Sequence, residues 1–151
     1  MITRRDVLIA LVSISVTAAA IAFAQSTAKP IMRSGVFQWS ELKVEKTAVG
    51  ERRNVFDAPT LTVDRLESHI TTINPGEAPH APHQHPEEEL MILKEGTVQV
   101  VQNGVTNRVE AGGIIFCASG EMHGLRNVGS GRATYFVLKW YPHDLAKVTA
   151  K

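Results

Sequence analysis

Three histidines lie close together in the short segment from Pro79 to His85, at positions 80, 83 and 85. Alternate residues of an extended strand point to the same face, so we expect His83 and His85 to direct two imidazoles into one space. Imidazole nitrogens are ligands for Mn, Fe, Ni, Cu and Zn. Two histidines at this spacing also occur in solvated loops, so the pair alone leaves a metal site and a plain loop both open.

A carboxylate and a further histidine follow at positions from which they could join this pair. Glu89 opens the apolar run Leu90–Leu93, and it reaches the same interior if the chain doubles back there. His123 begins another β-rich segment further along the chain. Three neutral imidazoles and one carboxylate leave open coordination positions on an octahedral ion. The candidate site is therefore one divalent metal ion.

The segments that would position these side chains are short, rich in Val, Ile, Thr, Phe and Tyr, and separated by turn signals. The pair Asn103-Gly104 is a strong hairpin signal, because a type I′ turn needs positive φ at both central residues. Many short strands in one chain of 151 residues predict a single all-β domain, either a sandwich or a barrel. The predicted strands cover 36–45, 52–56, 61–73, 89–93, 97–102, 105–109, 113–117, 123–128 and 133–141.

Two spaced patterns around the four candidate ligands resemble the two motifs of the cupin family. The first gap is one residue longer than in the family, and Ala118 stands where the family has proline; both departures lie in turns. The resemblance implies a double-stranded β-helix, a jelly-roll barrel, with His83, His85, Glu89 and His123 around a central metal. The patterns read Gly76-x6-His83-x-His85-x3-Glu89-x6-Gly96 and Gly112-x5-Ala118-x-Gly120-x2-His123-x3-Asn127.

Several neighbouring residues receive weaker predictions. His80 matches no motif position, so we expect it to lie outside the ligand set. Cys117 is the only cysteine, which excludes an internal disulfide, and it is expected to be a small buried apolar residue rather than a ligand. His69 and His143 are expected to be surface or structural residues. Asn127 either ties neighbouring strands together or is a simple exposed turn residue.

Strand alternation also suggests what would surround the ion. Alternate residues after Glu89 and after His123 share the face of these two ligands, and they are apolar, so we expect an apolar wall on the metal side. The nearest polar candidates for substrate contact cannot be oriented by periodicity alone. The apolar wall would consist of Met91, Leu93 and Leu125, and the polar candidates are Glu121, Arg126 and Tyr135.

The first 24 residues have the layout of an export signal. A basic start precedes an apolar stretch from Val7, and Ala22-Phe23-Ala24 is an A-x-A cleavage signature. The stretch is barely long enough to span a bilayer, which favours a cleaved signal helix over a permanent membrane anchor. The segment from Thr3 to Leu8, with Arg4-Arg5, resembles the twin-arginine signal, whose cargo crosses the membrane folded; an ordinary secretory start is the alternative. We therefore expect a bacterial periplasmic or extracellular protein.

These boundaries predict a signal at 1–24, a linker at 25–35, one cupin domain at 36–143 and a tail at 144–151. The formal net charge is +1, and removal of the signal leaves fourteen basic and fourteen acidic residues. No basic stripe is present, which argues against a nucleic-acid partner. The expected partner is a small molecule.

The resemblance leaves the activity open, because cupins include dioxygenases, isomerases, decarboxylases and lyases as well as non-catalytic members. We expect an exported metalloenzyme acting on a small organic acid, phenolic compound or sugar derivative, with a non-catalytic binding module as the alternative. Folding before export would let the chain trap a weakly bound metal before Cu or Zn competes. The prediction is therefore Mn or Fe in preference to Zn, Ni or Cu.

A homodimer is also predicted, with Val36–Val44 and Tyr135–Tyr141 as its apolar surface. In the alternative interpretation, the aromatic side chains of these segments face the core of the barrel. The residues concerned are Phe37, Trp39, Phe136 and Trp140.

Overall fold

The structure is a computed structural model that describes residues 29–142 and Arg4. The contacts divide the chain into two units, Met1–Pro30 and Ile31–Lys151, and the fold below is that of the second. Apart from Arg4, the predicted signal lies outside the described residues, as do the start of the linker, His143 and the predicted tail. Within the described part of the chain, no helix is long and apolar enough to cross a membrane.

The described residues form two antiparallel sheets that face each other. The larger sheet has the strand order β1-β2-β3-β9-β4-β7, and the smaller one has the order β6-β5-β8. This arrangement confirms the predicted all-β fold of the jelly-roll type. The strands are Glu45–Thr47 (β1), Gly50–Ala58 (β2), Val63–Ile73 (β3), Glu88–Glu95 (β4), Thr97–Gln102 (β5), Val105–Glu110 (β6), Ile114–Cys117 (β7), His123–Asn127 (β8) and Ala133–Pro142 (β9).

The segment 36–45 was predicted to be a strand, and this prediction is wrong. The segment contains a 3-10 turn at Trp39–Glu41 and joins the sheet only at its last residue. Its aromatic side chains pack on the outside of the larger sheet: the ring centroids of Phe37 and Phe56 are 5.4 Å apart, and those of Trp39 and Phe136 are 6.3 Å apart. The β-prone residues of this segment therefore cover a sheet face without pairing their backbone.

Strand alternation separates an apolar interior from a more exposed outer face. In β4, Glu89, Met91 and Leu93 are buried, whereas Ile92 between them is exposed. Burying an aliphatic side chain of this size contributes about 1.5–3 kcal/mol, so the inner row fixes the register of the strand. Met91, Leu93 and Leu125 all lie in the core cluster, as the alternation predicted.

Two turns and one amide fasten the strands that carry the site. Asn103 and Gly104 have φ values of 47° and 82°, which confirms the predicted hairpin between β5 and β6. Gly96 has φ of 90°, and a Cβ there would lie 2.7 Å from the Cα of Ala133. The buried Asn127 amide donates to the carbonyl oxygens of Ile73 and Gly131, so it ties neighbouring strands together.

Candidate metal centre

The loop before β4 is fastened to the start of β8, and this brings the histidines together. The backbones of His83 and His123 exchange two hydrogen bonds, of 2.9 and 2.8 Å. The N–H of Gly120 donates to the carbonyl oxygen of His85 at 2.9 Å. Residues far apart in the sequence are therefore held against each other by backbone pairing before any side chain is considered.

The side chains of His83, His85 and His123 converge on one point. Each offers a ring nitrogen, and these atoms all lie within 4.8 Å of one another. A carboxylate oxygen of Glu89 lies 3.0 Å from Nε2 of His85 and 3.7 Å from Nε2 of His123. The structure thus gathers all four predicted ligands, although their role as ligands stays a prediction. His80 stands outside the histidine cluster, with its ring 4.2 Å from that of His83.

The hydrogen bonds of the rings leave lone pairs directed into the cluster. Nδ1 of His123 donates to the carbonyl oxygen of Glu121, and Nδ1 of His85 donates to that of Glu87. In a neutral ring, this assignment leaves Nε2 as an acceptor. Nε2 of His123 is buried and has no hydrogen-bond partner, and the same is true of Nδ1 of His83. A buried set of acceptors around one carboxylate is a donor set that fits a divalent ion.

The electrostatics favour a neutral imidazole at His83 and an ionised carboxylate at Glu89. Burial lowers the pKa of His83, and the neighbouring histidines lower it further. Burial alone would raise the pKa of Glu89, but the charge of the Lys139 ammonium at 3.2 Å and its hydrogen bond outweigh burial and lower that pKa. Both protonation states are those that metal binding requires.

A cavity of about 230 Å³ adjoins the histidine cluster inside the barrel. His83 and His123 line it, and together with His85 of the same cluster we call them the histidine wall. Arg52 of β2, His69 of β3 and Lys139 of β9 also line the cavity, and we call these three the basic wall. The cavity therefore places a predicted metal centre beside positively charged and hydrogen-bonding groups.

His69 was expected to be a surface or structural residue, yet it is buried and lines this cavity. Its Nδ1 lies 3.2 Å from a carboxylate oxygen of Glu67. Burial lowers the pKa of His69 to about 4, and the charge of Arg52 acts in the same direction. His69 is consequently a neutral imidazole at neutral pH, oriented by a carboxylate behind it.

Of the polar residues predicted to contact substrate, only Tyr135 lines the inner cavity. Burial raises its pKa well above the ordinary range, so the phenol keeps its proton. Arg126 lies on the outer face of β8, where it lines a separate cavity of about 550 Å³. Glu121 is exposed and touches the site through its backbone carbonyl. The position of Arg126 agrees with strand alternation, because it is adjacent to the inward-facing Leu125.

Cys117 is buried beside Glu89, its cross-strand neighbour, and it is not part of the histidine cluster. Burial raises the pKa of its thiol to about 11. It is therefore a protonated, apolar residue of the core, which agrees with the prediction.

The family comparison matches residues 69–139 to the family described as Cupin domain. Similar solved folds include KdgF from a Halomonas species, with a TM-score of 0.61 and 17% identity over 75% of this chain and 99% of that one. The Cnp3 cupin domain of Schizosaccharomyces pombe has a TM-score of 0.63 and 11% identity over 78% and 81%. The polyketide cyclase RemF of Streptomyces resistomycificus has a TM-score of 0.58 and 23% identity over 72% and 80%. At these identities the solved structures show the fold alone, and the family match spans residues 69–139, slightly less than half of the chain.

Proposed function

We propose that this chain is an exported enzyme that acts on a small organic acid through one divalent metal ion. The observation that carries the proposal is the pairing of two walls in one small cavity. One group provides nitrogen acceptors and a carboxylate, and the other provides the cationic side chains of Arg52 and Lys139. The first set suits a metal, and the second suits an anion.

The metal would be held by His83, His85, Glu89 and His123. A divalent ion bound there supplies Lewis acidity for a carboxylate or carbonyl oxygen. The surrounding residues hold the ligands in place: the carbonyl oxygens of Glu87 and Glu121 accept the Nδ1 protons and so fix the rings. Such second contacts are what orients histidine ligands in metal sites.

The preference for an acid, over a phenolic compound or a neutral sugar, rests on the basic wall. Arg52 and Lys139 direct positive charge into the cavity, and a guanidinium binds a carboxylate with paired hydrogen bonds. Glu89 is the only carboxylate among the described residues that line the cavity, and the predicted metal would neutralise it. An anionic substrate is therefore the class with the most favourable electrostatics.

His69 is the residue that we propose as the proton acceptor. A general base must be unprotonated at the working pH and must keep one nitrogen free. The lowered pKa meets the first condition, and the Glu67 contact to Nδ1 meets the second by leaving Nε2 as the acceptor. Glu67 is a positioning residue in this scheme.

Turnover by the metal-loaded mature protein tests the proposal. A panel of small hydroxy, keto and dicarboxylic acids, with phenolics and sugars for comparison, would be followed by oxygen uptake and product analysis. Conversion of an acid that His69→Gln abolishes without loss of metal supports the proposal. Turnover confined to phenolics or sugars would overturn the substrate assignment.

A non-catalytic binding module is the second candidate. One observation supports this alternative. Among the described residues that line the cavity there is no second carboxylate besides Glu89 that could take part in acid–base catalysis. Tight binding of an acid without any conversion, with the same affinity in His69→Gln, would support this alternative.

Manganese or iron is the proposed metal, because a protein folded before export acquires its ion where Cu and Zn are scarce. Metal analysis of protein matured through its own export route would show Mn or Fe at one ion per chain. Copper or zinc at full occupancy would contradict this assignment. Replacement of Arg4 and Arg5 by lysine should block export if the route is the twin-arginine one.

A homodimer through the outer face of the larger sheet is proposed as well. Ile114 and Phe116 of the edge strand β7 are 67% and 49% exposed, next to exposed Ile92. An exposed apolar group on an edge strand is typical of an association surface. Phe116→Glu should convert the dimer to a monomer in light scattering, whereas Leu61→Glu, at an isolated exposed position, should not.

A further inference from the structure

A row of charged side chains crosses the inner face of the larger sheet at the level of the candidate metal centre. Strand β9 lies between β3 and β4, so Lys139 is in register with Glu67 on one side and Glu89 on the other. Its Nζ lies 3.2 Å from a carboxylate oxygen of Glu89 and 3.5 Å from Nε2 of His85. The ammonium thus contacts two of the four predicted metal ligands directly.

We propose that Lys139 competes with the metal ion for Glu89. In the metal-free protein its ammonium holds the ligand set together, and an incoming ion must displace it. The inference rests on the proposed metal site, and it adds a residue that belongs to neither of the two sequence motifs.

The contacts of Glu89 explain why a cation is needed at this position. The Glu89 carboxylate is buried, and in the neutral tautomer the facing nitrogen of His85 is an acceptor at 3.0 Å. Two acceptors at that distance repel each other unless a positive group neutralises them. Lys139 provides that positive group. This role explains why a lysine side chain lies among the predicted metal ligands.

Lys139, His85 and His123 all face the same oxygen of Glu89, Oε2, so a metal bound by these histidines at that oxygen would take the position of the ammonium. Coulomb repulsion between a divalent ion and an ammonium a few ångströms away is strong in a partly buried site. The lysine side chain is flexible and about 20% exposed, so it can move without unfolding the strand. Glu67, the other cross-strand neighbour, offers a second carboxylate on the opposite side of β9.

Displacement would also prepare the cavity for an acid. Lys139 lines the cavity together with Arg52, so an ammonium released from Glu89 becomes available to a bound carboxylate. The metal is therefore expected to bind first and the acid second, and Lys139 would couple the two events.

Replacement of Lys139 by methionine tests the competition, since methionine keeps an unbranched stem and removes the charge. Lys43→Met, at an exposed position, is the matched control. Chelator-stripped proteins would be titrated with Mn(II) by calorimetry and melted with and without Mn(II). We expect Lys139→Met to bind Mn(II) about tenfold more tightly or better, because the repulsion is gone. The melting temperature of metal-free Lys139→Met should be lower than that of metal-free wild type, and Mn(II) should raise it by more. Lys43→Met should have the same melting temperatures as wild type.

Equal or weaker Mn(II) binding by a folded Lys139→Met protein would overturn the proposal, and Lys139→Gln serves as a second neutral variant if methionine prevents folding. A failure of the proposed metal site would give a different pattern of Mn(II) binding from a failure of the competition. If wild type binds no Mn(II) but Lys139→Met does, the competition is supported and the proposed metal-dependent function of the wild type fails. If none of the proteins binds, both proposals fail.

Discussion

The histidine wall and the basic wall face the same cavity, but they are built in different ways. The histidine wall comes from a loop and a strand start that backbone hydrogen bonds hold together. The basic wall comes from three strands of the larger sheet, and each residue depends on the register of its own strand. The first is a set of acceptors that attracts a cation, and the second contains two cations, Arg52 and Lys139, that attract an anion. Together they indicate a site for a metal and an acid at once.

The largest expected effect falls on the histidine wall. His83→Ala or His123→Ala should abolish stoichiometric metal binding, because each removes one of the three imidazoles that converge on the predicted ion. His80→Ala is the matched control, since that ring lies beside His83 but outside the cluster. Elemental analysis after dialysis would measure the difference. If both cluster variants keep a full equivalent of metal, the ligand assignment is wrong.

An intermediate effect is expected on the basic wall. Arg52→Gln should weaken acid binding by about 2 kcal/mol, the scale of one hydrogen bond to a charged group, and should leave metal affinity unchanged. Calorimetric titration of the metal-loaded protein with its acid would measure this loss. Arg108→Gln, on an exposed strand of the smaller sheet, is the control. If Arg52→Gln and wild type bind the acid with equal affinity, the proposed role of the basic wall in substrate binding is wrong.

The smallest expected effect is a pH dependence of stability that arises from His69. Its pKa is about 4 in the folded chain, below the ordinary histidine pKa of 6.5, so the unfolded chain takes up a proton first as the pH falls. The contribution of neutral His69 is complete above pH 6.5 and is lost progressively as the pH falls toward 4. Urea unfolding of metal-free protein at pH 7.5 and 5 should show a smaller loss for His69→Gln than for wild type. If both proteins lose the same unfolding free energy between the two pH values, His69 does not contribute to the pH dependence of stability.

The two walls also differ in how far the sequence predicts them. The resemblance to two spaced family motifs predicted Glu89 and His123 beside His83 and His85, although His123 lies far along the chain from the other three. Arg52, His69 and Lys139 carried no comparable signal. Parity puts Tyr135 and Lys139 on one face of β9, but only the pairing of β9 with β3 and β4 shows that this face lines the cavity.

The fold shows the same division. The hairpin turn at Asn103-Gly104 and the alternating burial in β4 could each be predicted from one short segment of sequence. The segment 36–45 was mistaken for a strand because its aromatic residues satisfy a β pattern while they pack on the outside of the sheet. Whether a β-prone segment pairs its backbone or only covers a face depends on partners that are distant in the sequence.

The most direct test of the account is X-ray absorption at the metal edge of the Mn(II)- or Fe(II)-loaded protein. The account predicts one ion per chain with a nitrogen and oxygen shell that includes the multiple-scattering signature of three imidazoles. His123→Ala should lose the site, whereas Lys139→Met should keep the same shell. A loaded ion with an oxygen-only shell, or with no histidine signature, would contradict the assignment of His83, His85 and His123 as ligands.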